Sequence, residues 1–331
     1  MIRRAILSSA LLAALMPLAA AAQDEADALT AIYDTVLQAD AAGTVESCHA
    51  LSATLEAGGT ADERAAGFEA LAMGWGRVEA AYVLGSFDMD AMDYPLLIDM
   101  FHHGKEDLHA SLGRAIDSES DPAKALYKNA YRSMTALDDL LFSGPWSDRR
   151  AALAQYATQS LCSRFETVEE GYAEHRDDFL SDPDEAVGLL MNAQIQNLYK
   201  TRDWRLAEVA GLTKKTLGRA HPENRQFPWG DASWPTIGAI LDTHLRLLGA
   251  EGEPNLATIA KARGAGTGLA EVQDGLAEAV RLYEAVPQDA WFDPRASVPI
   301  INALRQAQNS YYDSLALLVG VSLGLVDADG D

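Results

Sequence analysis

The chain has 331 residues, with 26 Lys and Arg against 49 Asp and Glu, a net charge of −23 and only two cysteines. So acidic a composition excludes charge-driven binding to nucleic acid or anionic lipid, and leaves cation attraction, a basic partner or plain solvation as its uses. The roughly 310 residues beyond an N-terminal leader suffice for one large or two ordinary domains with substantial cores.

Residues 1–22, MIRRAILSSALLAALMPLAAAA, place Arg3 and Arg4 before an apolar run, a proline and several small residues. That is the pattern of a secretory signal peptide cleaved near Ala22, too short and wrongly flanked to span a membrane. No cysteine follows the apolar run, which excludes a lipobox anchor, and the expected location is the periplasm. Removal of Arg3 and Arg4 would make the mature protein more acidic still. No later segment approaches the roughly 18 uninterrupted apolar residues that a membrane span needs.

From Leu29 onward apolar residues recur at three- and four-residue spacing, Ala and Leu are abundant, and no alternating strand pair emerges, so the expected fold class is all-α. Helices are predicted near 25–57, 61–84, 94–117, 121–143, 147–179, 184–208, 232–249, 254–284 and 297–323. Thr60, Ser120-Asp121-Pro122, Ser147-Asp148 and Ser181-Asp182-Pro183 carry start chemistry, and Gly58-Gly59, Gly144-Pro145 and Gly249 carry stops. Ser181-Asp182-Pro183 also divides the mature chain into halves, 23–181 and 182–331, each able to form a four-helix bundle. Trp75-Gly76-Arg77-Val78 and Trp234-Pro235-Thr236-Ile237 each open an apolar helical run, a weak hint of internal duplication. Cys48 and Cys162 can pair in an exported protein, but spacing alone leaves the bridge open, and neither belongs to a C-x-x-C motif.

One stretch stands out. Residues 127–146 are predicted as an amphipathic helix ending at Gly144-Pro145, with Tyr131, Met134, Leu137, Leu141 and Phe142 on one apolar stripe at about 100° per residue. Asp138 projects from the middle of that stripe, whereas Asp139 is expected to point to water. A carboxylate on a buried face is costly unless a cation, a metal or several donors meet it, so Asp138 needs either a structural partner or a binding pocket.

The run Ser133-Met134-Thr135-Ala136-Leu137-Asp138-Asp139-Leu140-Leu141-Phe142 resembles the signature helix of the imelysin family, G-x-H-x-x-E followed by L-L-[FWY]. Asn197–Leu206 is similar to that family's D-x-R-L segment, and Leu323–Asp331 to its G-F-x-x-x-D-G-D ending. At the signature, Ser133, Thr135 and Asp138 stand where the family has Gly, His and Glu, so only the acidic character is kept. The resemblance implies two helical bundles with a functional site in the cleft between them, and a role in iron handling. The family's name comes from a peptidase assignment, which the missing His does not support here.

Several side chains are candidates for that site. Glu79 lies at the edge of a stripe of Leu71, Trp75, Val78 and Tyr82; with Asp138 it could offer hard oxygen ligands to iron or another divalent cation, or instead pair with Arg77, Arg132 or Arg205. His102, Glu106 and His109 would share one helix face, with the E-x-x-H spacing of di-iron bundles, but no second such motif exists to complete a site. Arg202, Asp203 and Arg205 suggest a bidentate carboxylate contact, to Asp138 or to an anionic ligand. Trp229 and Ser233 sit in a turn-rich loop that could line a cleft. Asp327-Ala328-Asp329-Gly330-Asp331 opens like a calcium loop but ends before its twelfth-position acid. Zinc-helix, nucleophile-elbow and phosphate-loop motifs are missing, and Gly264–Gly268 has no preceding strand.

The leading expectation is an exported, non-enzymatic, imelysin-like binding protein, with Thr135, Asp138, Arg205, Trp229 and Ser233 lining a cleft for a small ligand or metal ion. The alternatives are a metal-dependent peptidase and a cell-envelope interaction module.

Overall fold

The computed structural model describes residues 23–103, 106–216, 218–249 and 255–321. The expected leader at 1–22 and the acidic ending at 327–331 lie outside the described residues. Among those described there are helices and turns but no strand, and no helix is long and apolar enough to cross a membrane.

A helical stretch from residue 23 passes through a π-turn at Tyr33–Gln38 into α1 (Ala39–Glu56). Helix α2 (Ala61–Ala80) begins with a capping box, in which the Thr60 side chain takes the Glu63 amide and the Glu63 carboxylate takes the Thr60 amide. A short α3 (Tyr94–Ile98) and α4 (Leu108–Asp117) follow. Next come α5 (Met134–Phe142), the long α6 (Asp148–Glu174) and α7 (Pro183–Tyr199). The last continues as a π-helical segment, Lys200–Glu208. Beyond a loop lie α8 (Ser233–Leu248), α9 (Leu256–Ala262), α10 (Gly266–Glu284) and α11 (Pro294–Ser310).

Helix α1 packs on α2 and α6, α5 packs on α6, and α10 packs on α11. Helices from the two sides of Ser181 also meet directly, because α2 lies along α8. Gly76 permits that approach: a Cβ there would stand 2.8 Å from the Thr236 methyl group. The two tryptophan-led segments noted in the sequence therefore face each other across this contact. Cys48 on α1 and Cys162 on α6 form a disulfide, with Cα atoms 5.5 Å apart and both residues buried.

The helix expected over 147–179 breaks at His175, and three other predicted helices are interrupted, each for a local reason. The helix expected over 94–117 breaks between α3 and α4: the Asp99 carboxylate takes the Phe101 amide, and His102 adopts φ +63°. Asp107 then caps α4 through the Ala110 amide. Within 127–146 the chain forms a 3-10 turn at Asn129–Arg132 and restarts at Ser133, whose extended backbone and side-chain acceptance of the Ala136 amide make it the N-cap of α5. The helix expected over 254–284 is likewise split by the turn at Arg263–Ala265.

Candidate functional site

Helix α5 is short and almost wholly buried because neighbours cover it on several sides: α6 and α4 pack against it, and the loop 225–232 crosses it. Asp138 is fully buried, and its two carboxylate oxygens accept the backbone amides of Trp229 and Gly230, each at 2.9 Å. Burial pushes its carboxyl up to about 7, against the opposing pull of those two amides. Gly230 is required at this crossing, since a Cβ would meet Asp138 Oδ1 and the Phe142 ring, each at 2.9 Å.

Asp139 corrects the expectation that it faces water. It is buried, accepts from Ser143 Oγ at 2.8 Å, and binds His109 Nδ1 at 2.6 Å. The wheel failed because it assumes one covered face, whereas α4 brings His109 onto the side judged exposed. Arg150 completes the corner by donating to the Asp139 and Leu140 carbonyls, at 3.0 Å each, which suits a cation at a helix C-terminus.

Behind Thr135 runs a polar chain. Thr135 Oγ1 donates to Asp99 at 2.9 Å, Gln226 Nε2 donates to the other Asp99 oxygen at 2.6 Å, and Arg205 Nε donates to Gln226 Oε1 at 2.9 Å. Arg205 Nη2 then pairs with Glu79, which Lys200 also reaches at 3.2 Å. Burial and the nearby Glu79 raise the Asp99 carboxyl above its ordinary range, opposed by its three hydrogen-bond donors. Burial also works to raise Glu79, but Arg205 and Lys200 outweigh it and hold that carboxyl low.

Two chambers open over this floor. One, of about 470 Å³, is lined by Leu108, His109, Thr135, Pro222, Pro228 and Trp229, with Asp139, Glu223 and Arg225. The other, of about 330 Å³, is lined by residues including His102, His103, Glu208, Asn224 and Gln226. Thr135, Glu223, Arg225 and Pro228 belong to both, so they form the divide of a single cleft. Trp229 stacks on His109 with ring centres 4.7 Å apart, and His102 stacks on Trp204 at 4.5 Å while its Nε2 meets Glu208 at 2.9 Å.

The candidates thus fall into distinct places. Thr135 and Trp229 line the cleft; Asp138 lies beneath its loop; Ser233 is buried and closes the loop on itself, accepting from the Phe227 amide and donating to the Phe227 carbonyl. Arg205 stands in the polar chain and meets Glu79 rather than Asp138. Arg202 pairs with Asp203 and Gln308. Glu79 and Asp138 are each committed to protein donors, and among the described residues no group of three or more His, Cys, Asp or Glu is arranged to hold a metal. As placed, that pair does not fit a bare cation. His102, Glu106 and His109 do not share a helix face: Glu106 precedes α4 and accepts from Lys128, Tyr131 and Ser111, and only His109 is on the helix. Asp99, Arg225 and Gln226 were not singled out from the sequence, and Asp139 was read as water-facing rather than as a site residue; the acids lay on predicted helix faces whose cover was unknown, and Arg225 and Gln226 in a loop without a motif.

The family model described as imelysin, peptidase M75, matches residues 29–316. The chain belongs to the imelysin family. A solved imelysin-like protein from Psychrobacter arcticum 273-4 has the same fold, with a TM-score of 0.76 over 92% of this chain and 98% of that one, at 16% identity. Among curated proteins none matches the sequence significantly. Relative to the imelysin signature, Ser133 takes the Gly position as a helix cap, Thr135 takes the His position at the cleft divide, and Asp138 takes the Glu position as the anchor of the crossing loop.

Proposed function

We propose that this imelysin is an exported periplasmic binding protein without enzymatic activity, and that it handles iron as a complex held in the two-chambered cleft. The observation that carries the reading is the cleft itself, built over the signature helix with Thr135 and Arg225 at its divide. A chelate suits the site better than a naked ion, because Asp99, Asp138, Asp139 and Glu79 already accept protein hydrogen bonds. Thr135 and Trp229 would touch the ligand, Asp138 and Ser233 would hold the loop that carries Trp229, and Arg205 would support Gln226 from below.

Calorimetric titration of the mature protein with ferric citrate, alongside citrate alone, tests this. Saturable binding is expected in the wild type and its loss in Thr135→Trp, which fills the divide. Heats no larger than dilution, or unchanged binding in Thr135→Trp, would overturn the reading.

A further inference from the structure

The larger chamber has a chemistry of its own. Its walls are mostly apolar and flat, from Leu108, Pro222, Pro228 and the indole of Trp229, and at about 470 Å³ it lies within the range of small-molecule sites. Trp229 is 43% exposed, although Asp138 fixes its backbone by accepting its amide and that of Gly230, and His109 stacks against its ring. A large aromatic held rigidly and left half open presents a ready stacking face.

The charges around it are unevenly answered. His109 faces the Asp139 carboxylate, and Glu223 is met by His221 at 3.0 Å. Arg225 instead donates to neutral backbone carbonyls, Nε to Pro222 at 3.0 Å and Nη2 to Pro228 at 2.7 Å. Those bonds hold the guanidinium at the divide with no ion pair among the described residues, while its charge also bears on the buried Asp138 carboxyl beneath the loop. A carboxylate arriving there would gain charge-assisted hydrogen bonds that a neutral or cationic ligand would not.

We propose that the larger chamber selects a planar aromatic carboxylate, its ring stacked on Trp229 and its charge met by Arg225. This rests on the cleft being a ligand site and specifies the organic part of what it takes. Four probes separate the contributions: 2-naphthoate, neutral 2-naphthamide, non-planar cyclohexanecarboxylate and cationic 2-naphthylmethylammonium. Calorimetry on the mature protein should rank naphthoate at least about tenfold tighter than each of the others. Arg225→Gln should weaken naphthoate at least about tenfold more than naphthamide and so remove its advantage, and Arg225→Lys should restore part of it. Trp229→Leu should remove the advantage over cyclohexanecarboxylate, with near-ultraviolet circular dichroism checking that each variant is folded. Equal affinity for naphthoate and naphthamide, tighter binding of the ammonium, variants without effect, or no binding of any probe would overturn the assignment. If ferric citrate binds and naphthoate does not, the ligand class falls and the cleft stands; if neither binds, both fall.

Discussion

Replacing Asp138 with Asn removes the charge beneath the crossing loop while keeping the side chain's shape. In the wild type, burial raises this carboxyl from 3.8 to about 7. In the unfolded chain it titrates near its ordinary value, so between about pH 4 and 7 the folded state binds a proton that the unfolded state has lost. Stability therefore falls as pH rises through that window and is level above it. A shift of roughly three units at 1.36 kcal/mol each gives a loss on the order of 4 kcal/mol from this group. Asp138→Asn has no such slope. It has a constant cost of roughly 1–3 kcal/mol, because its amide NH₂ faces one of the Trp229 and Gly230 amides. Urea unfolding of both proteins at unit steps from pH 4 to 8 isolates the effect, since other titrating groups cancel in the difference. The wild type should lose about 4 kcal/mol relative to the variant as pH rises. A difference that is flat, or that grows in the wild type's favour, would show that the two amide donors outweigh burial and keep Asp138 charged.

Glu79→Gln should lower stability by about 3–5 kcal/mol in thermal or denaturant melts, because Arg205 is 2% exposed and would lose its carboxylate partner. Replacing both Cys48 and Cys162 by Ser removes a link between residues 114 apart and should cost about 5 kcal/mol in denaturant unfolding, with ligand affinity unchanged. Gly230→Ala should force the crossing loop off Asp138 and Phe142, costing about 1–3 kcal/mol and altering Trp229 fluorescence; unchanged stability would contradict the close approach.

What the sequence made legible was local chemistry. Thr60, Asp121, Ser147 and Asp182 read as helix starts, and each caps its helix by accepting a backbone amide, because that interaction spans only two or three residues. The acid at Asp138 was legible as buried for the same reason, through its place in a periodic stripe. Its partners were not: Trp229 and Gly230 arrive from 91 and 92 residues away, and Arg205 reaches Glu79 across 126. Periodicity reports that a face is covered, never by what. Asp139 shows the converse limit, since a nine-residue helix enclosed on several sides has no water-facing stripe to find.

The cleft's opposite walls come from distant parts of the chain, His109 and Thr135 on one side, Pro222, Arg225 and Trp229 on the other. A molecule seated between them is a strut spanning the fold, so its binding energy resists any opening that parts those walls. At a hundredfold excess over its dissociation constant such a strut contributes about 2.7 kcal/mol. A filled cleft would thereby register as slower proteolysis than an empty one.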